Sequence, residues 1–225
     1  PPELVVMLDH PKYRRAAAIA HAARGDAAFA DVLCKAVRKM PRADVVRVAP
    51  RLVRLGEEAG DALIDGLSAR KTFVRQAFAL VLAHLKLRRA VVPLLHRLTA
   101  EDAAIHRELA RVMGSFGNAA FRPLVRQLAD PKAPEDRMVR ALSHLAIQGC
   151  EKQVDELTRD GDARIASMAT RALSMRDEAR AYEETVSGKR ALDGSDAVVA
   201  FSRRFEEELR GTAPEADLVT AEEER

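Results

Sequence analysis

The chain has 225 residues, of which 48% are hydrophobic and 32% charged, with a formal net charge of +3. Aromatic residues make up only 4% and Trp is absent, so a core must be assembled from Leu, Val, Ala and Ile, which suits close helix–helix packing. No run approaches the ~18 apolar residues of a membrane span, and the near absence of alternating β-branched stretches excludes a sheet protein, leaving an all-α reading.

In chain order, apolar spacing predicts paired helices. The first pair covers residues 3–8 and a second helix through 24, closed by Gly25 with Asp26 as the next N-cap. A second pair covers 26–40 and 42–55; Pro50 falls inside it and predicts a kink or break. The third covers 57–67 and 70–85, where residues 72–85 are apolar nearly all round, as a helix covered on most sides must be. The fourth covers 87–98 and 101–116, and the fifth covers 118–128 and a helix running to 148 after a longer turn at 129–134. The sixth is shorter, 150–158 and 162–175. Residues 176–186 predict one further helix and 187–190 a linker. A helix over 195–210 follows, with Ser195 as N-cap and Val198, Phe201, Phe205 and Leu209 as its apolar stripe. Residues 212–225 are acidic with little to bury and read as a tail. Pro1-Pro2 in place of an initiating Met reads as a trimmed or partial chain.

A phrase recurs through these pairs. Tyr13-Arg14-Arg15-Ala16-Ala17 has variants at Val46-Arg47, Val74-Arg75, Ile105-His106, Val139-Arg140 and Ile165-Ala166, at steps of 33, 28, 31, 34 and 26 residues. A period near 30 that carries two helices predicts a stack of helical hairpins. The units resemble HEAT repeats, in particular the short variety of the bilin-lyase family, in Ala90-Val91-Val92-Pro93-Leu94-Leu95, Phe121-Arg122-Pro123-Leu124-Val125 and Val74-Arg75-Gln76-Ala77-Phe78. The resemblance covers roughly residues 3–175. It implies an α-solenoid of about six HEAT-like hairpins over 1–175, a helical cap over 176–211 and the acidic tail at 212–225.

Catalytic and cofactor signatures are missing. None of the six histidines precedes a Glu, and no HExxH, GxGxxG, GxxxxGK[ST] or GxSxG occurs, so the expectation is a non-enzyme without metal or cofactor. A damaged-base pocket would need aromatic walls, and the chain offers no Trp and two Tyr. Cys34 and Cys150 match neither metal spacing nor a disulfide framework and predict buried free thiols in a reducing, cytoplasmic setting.

Charge is segregated. Residues 176–225 hold 8 Lys+Arg against 14 Asp+Glu, net −6, while residues 1–175 hold 29 against 20, net +9. A basic body with an acidic C-terminal region fits an acidic partner, or a tail that folds back onto the same site. Arg14, Arg47, Arg75 and Arg140 follow the repeated apolar residue, and Arg51, Arg54, Arg107 and Arg111 extend the row at helical intervals. If the second helix of each hairpin lines one face, as the resemblance implies, these eight form a row suited to carboxylate or phosphate. The resemblance also offers a structural duty, in which the repeat Arg bonds an Asp or carbonyl of the neighbouring inter-helix turn, with Asp9, Asp44, Glu101 and Asp130 at hand. The expected function is a scaffold that binds an acidic protein segment. Alternatives are nucleic-acid backbone binding by the same groove and an accessory role beside an enzyme of bilin-lyase type. The C-terminal helix offers a route to oligomers.

Overall fold

Residues 2–100, 105–192 and 196–211 are described by a computed structural model, and they are helical throughout, with no strand among them. Two features foreseen at 101 and 195, a helix start and an N-cap, lie outside the described residues, as does the acidic tail at 212–225. The chain divides into two units, residues 1–85 with 200–225, and 86–199. None of the described helices is long and apolar enough to cross a membrane.

The first unit contains α1 (Pro2–Asp9), α2 (Arg14–Arg24), α3 (Ala30–Lys39), α4 (Arg42–Val48), α5 (Gly60–Asp65) and α6 (Thr72–Leu85). The first helices of its hairpins, α1, α3 and α5, pack in sequence, and so do the second helices α2, α4 and α6. Gly25 ends α2 at φ +65°, a conformation that side chains resist; a Cβ there would also lie 2.9 Å from the Arg54 carbonyl oxygen. Asp26 accepts from the Ala28 amide at 3.0 Å, as its N-cap position requires. Pro50 has the foreseen effect: the α-helix stops at Val48 and Ala49–Leu55 tightens into a 3-10 segment. In α6 the side chains from Ala77 to Ala83 are all buried.

The second unit contains α7 (Val91–Ala100), α8 (His106–Ser115), α9 (Asn118–Leu128), α10 (Glu135–Leu145), α11 (Glu151–Leu157), α12 (Ala163–Ser174) and α13 (Arg176–Val186). Here α8, α10 and α12 pack in sequence, α7 lies against α9, and α13 lies against α10 and α12. Gly114 makes the α8–α10 contact close, since a Cβ on it would stand 2.5 Å from His144 Cβ. The helix foreseen to 148 ends at Leu145 and passes through a π-type turn, Ala146–Cys150, because Gly149 at φ +99° breaks the helical path.

The last helix, α14 (Ala197–Arg210), starts in the second unit and belongs to the first from Ala200 onward. Asp196 caps it, accepting from the Val198 and Val199 amides at 3.0 and 3.2 Å. Of the expected stripe Phe201 and Phe205 are buried and Val198 and Leu209 half-buried, while Val199 and Ser202 are buried beside them.

Candidate interaction surfaces

Two of the eight arginines serve the fold. Arg14 donates from Nε to the Leu8 carbonyl at 2.8 Å and from Nη2 to the Asp9 carbonyl at 2.9 Å, satisfying the end of α1. Arg75 does the same one turn ahead of α6, donating to the Ala69 and Arg70 carbonyls at 2.8 Å each and to Thr72 Oγ1 at 3.1 Å. Three basic residues outside the expected row complete this pattern by reaching back to the preceding hairpin. Lys71 bonds the Met40 carbonyl at 3.0 Å, Arg137 the Leu98 and Thr99 carbonyls at 3.1 and 2.9 Å, and Arg164 the Leu128 carbonyl at 2.8 Å. Their signal in the sequence is position, each standing before or within the first turn of a second helix.

In the first unit Arg47 and Arg51 face α14. Glu208 lies 3.5 Å from Arg51 Nη1 and 3.9 Å from Arg47 Nε, both ion pairs, and accepts a hydrogen bond from Arg204 Nη2 of its own helix at 3.4 Å. Arg51 also donates to the Arg47 carbonyl. Glu206 meets His84 Nε2 at 3.0 Å, and Ser202 Oγ accepts from Gln76 Nε2 at 2.8 Å in a buried contact. Phe201 and Phe205 anchor the helix, with the Arg42 guanidinium 5.6 Å above the Phe201 ring and His84 stacked 5.9 Å from Phe205. Burial pulls the Arg42 pKa down. Arg54 differs from the other seven: it is exposed and makes no hydrogen bond or ion pair among the described residues.

In the second unit α13 occupies the corresponding place. Glu178 Oε1 takes Arg140 Nη1 at 2.6 Å and Arg107 Nη2 at 3.3 Å. Beneath it is a polar network. Arg111 clasps Glu108 Oε1 through Nε and Nη2 at 2.9 and 2.7 Å, and the Tyr182 hydroxyl donates to Glu108 Oε2 at 3.0 Å. Glu108 is 1% exposed, and these donors satisfy both of its oxygens. Glu183 adds a 3.4 Å contact to Arg111 and stands 3.9 Å from His144 Nδ1. Burial, then Glu108, raises the Tyr182 pKa. Burial, then the charges of Arg111, Arg140 and Arg107, lowers that of His144 to about 3, so this ring is neutral at ordinary pH.

Beside this network an open cavity of about 240 Å³ is lined by Arg107, Glu178, Tyr182, Leu192, Asp196 and Val199, among others. It is smaller than the usual small-molecule site of roughly 300 Å³ or more. Among the described residues no three His, Cys, Asp or Glu side chains gather as metal ligands.

The chain matches no family model and no curated protein. Among solved structures an engineered protein is similar over 94% of this chain and 96% of its own, at 16% identity and a TM-score of 0.30. Similarity that loose bears on neither family nor activity.

Proposed function

We propose that the chain is a non-catalytic interaction module, an α-solenoid of HEAT-like hairpins that holds an acidic helical segment of a partner protein on the arginine-bearing face of its second helices. The observation that supports this is the seating of Glu208 against Arg47 and Arg51. In the first unit this face already accepts a helix that presents carboxylates beside buried phenylalanines. Amphipathic helices are recognised in this way, through apolar anchors in a groove and charges at its edge. Arg54, exposed three residues after Arg51 in the same 3-10 segment, has no partner among the described residues. An external acidic helix therefore competes with α14 and gains Arg54 as a further contact. Buried free thiols at Cys34 and Cys150, the former with its pKa pushed up to about 12, fit a reducing cytoplasmic setting.

The test is a fluorescence-anisotropy titration of the full chain with a labelled peptide of the α14 sequence. The wild type should bind saturably, and Arg51→Glu/Arg54→Glu should not, with an unchanged circular-dichroism spectrum. Absence of binding by the wild type, or equal binding by the variant, rules the reading out.

A further inference from the structure

Four further arginines without a partner among the described residues lie on the first helices of the second unit or the turn that leads into them. Arg88, Arg97, Arg122 and Arg126 make no ion pair or hydrogen bond among the described residues, in contrast to the second-helix arginines, which are nearly all held. Arg88 opens the 3-10 turn leading into α7, Arg97 stands in α7, and Arg122 and Arg126 stand in α9, one helical turn apart; α7 and α9 pack side by side. Arg88, Arg122 and Arg126 are exposed and Arg97 half-buried, with exposed His96 among them. No Asp or Glu occurs from Lys86 to Ala100 or from Asn118 to Ala129. Protein surfaces usually intersperse both signs of charge, and a two-helix face with one sign alone departs from that. The face also lacks apolar anchors. Val92 is its one strongly exposed hydrophobic residue, at 64%.

We infer that the α7–α9 face binds the phosphate backbone of a nucleic acid, without sequence preference. Docking of a protein partner draws on apolar and aromatic anchors that fill pockets, and this face supplies none. Backbone binding needs only cations that displace condensed counterions, together with guanidinium forks that match phosphate oxygens. Its residues are not those that meet α14, so the inference stands whether or not the acidic-helix reading holds.

The experiment is a titration of a short mixed-sequence DNA duplex with the full chain across a range of salt concentrations, with polyglutamate as a parallel probe. Four phosphate contacts predict a slope of log K against log[salt] of about −3.6. Arg122→Glu/Arg126→Glu should reduce that slope by about 2 and weaken binding at least tenfold. Arg51→Glu/Arg54→Glu, on the first unit, should leave duplex binding as it is. Arg88→Gln/Arg97→Gln serves as a second variant should the reversal fail to fold. Absence of duplex binding, a slope that neither variant of this face changes, or tighter binding of polyglutamate that the same variants abolish would overturn the inference, the last in favour of an acidic protein.

Discussion

Arg51 and Glu208 meet at 3.5 Å, joining the 3-10 segment that follows Pro50 to the last described helix. Their side chains are 32% and 11% exposed, so the carboxylate is mostly shielded from water while the guanidinium keeps one side in it. Glu208→Lys would place a fourth cation beside Arg47, Arg51 and Arg204. It should lower stability by about 1 kcal/mol, an effect that shrinks as salt screens it. Urea unfolding at low and high salt measures both parts.

Leu80 lies in the middle of α6 with no exposed surface. Leu80→Asp should cost on the order of 3–5 kcal/mol, because it places a carboxylate in the wholly buried run Ala77–Ala83 of α6. A thermal melt followed by circular dichroism that matches the wild type would show that α6 is not central to its unit.

Gly114 and Gly66 set two opposing effects against each other. Replacing a helical Gly by Ala gains up to about 1 kcal/mol in helix propensity. A Cβ at Gly114 would stand 2.9 Å from the His144 carbonyl carbon, and one at Gly66 would stand 2.2 Å from the Phe78 ring. Overpacking of that kind costs about 1–3 kcal/mol, so both substitutions should destabilise, Gly114→Ala through backbone that cannot swing aside. A raised melting temperature in either variant would contradict the packing described.

His144 gives the chain a pH dependence with a definite sign. Its folded pKa of about 3 lies below the ordinary 6.5, so the unfolded chain takes up the proton first. The stability from this ring is complete above pH 6.5 and is lost as pH falls toward 3. Between pH 7 and pH 5 the loss is about 2 kcal/mol. His144→Gln should flatten that part of the stability profile in chemical unfolding; an unchanged slope would show that the ring is not held neutral by its surroundings.

Glu108 is the buried charge on which the second unit's network turns. Glu108→Ala removes the acceptor of both Arg111 and Tyr182 and leaves a guanidinium that is 8% exposed without its main partner. The expected cost is about 3–5 kcal/mol, against about 1 for Tyr182→Phe, which removes only one donor. Equal effects from the two, measured by urea unfolding, would place the weight of the network elsewhere.

Local chemistry made much of the helical order legible in the sequence. Gly25, Gly56, Gly117 and Gly149 all take positive φ where helices were expected to end, Pro50 tightens its helix, and Asp26 caps. These effects act within a few residues, which a single chain displays directly. The partners of the arginines did not show in the same way. Glu208 and Glu178 reach Arg51 and Arg140 only through folding, and charge segregation gave the sign of the interaction without the residues. The expected duty at an inter-helix turn was a better guide for Arg14 and Arg75, whose carbonyl partners lie five and six residues away in their own hairpins. The two phenylalanines of the α14 stripe were legible from helical spacing, while the burial of Val199 and Ser202 depends on what packs against that side.

On the proposed reading the Arg47–Arg51 face receives a helix through its carboxylates, and α14, whose three Glu are matched by three Arg, is its internal occupant. The most direct measurement is calorimetric titration of an α14-sequence peptide into the full chain, wild type and Glu206→Lys/Glu208→Lys, the variant whose own α14 has lost the carboxylates that meet His84, Arg47 and Arg51. The account predicts that the peptide binds the variant at least tenfold more tightly than the wild type, since its internal competitor is weakened. Equal affinity for both chains, or no heat of binding with either, would contradict it.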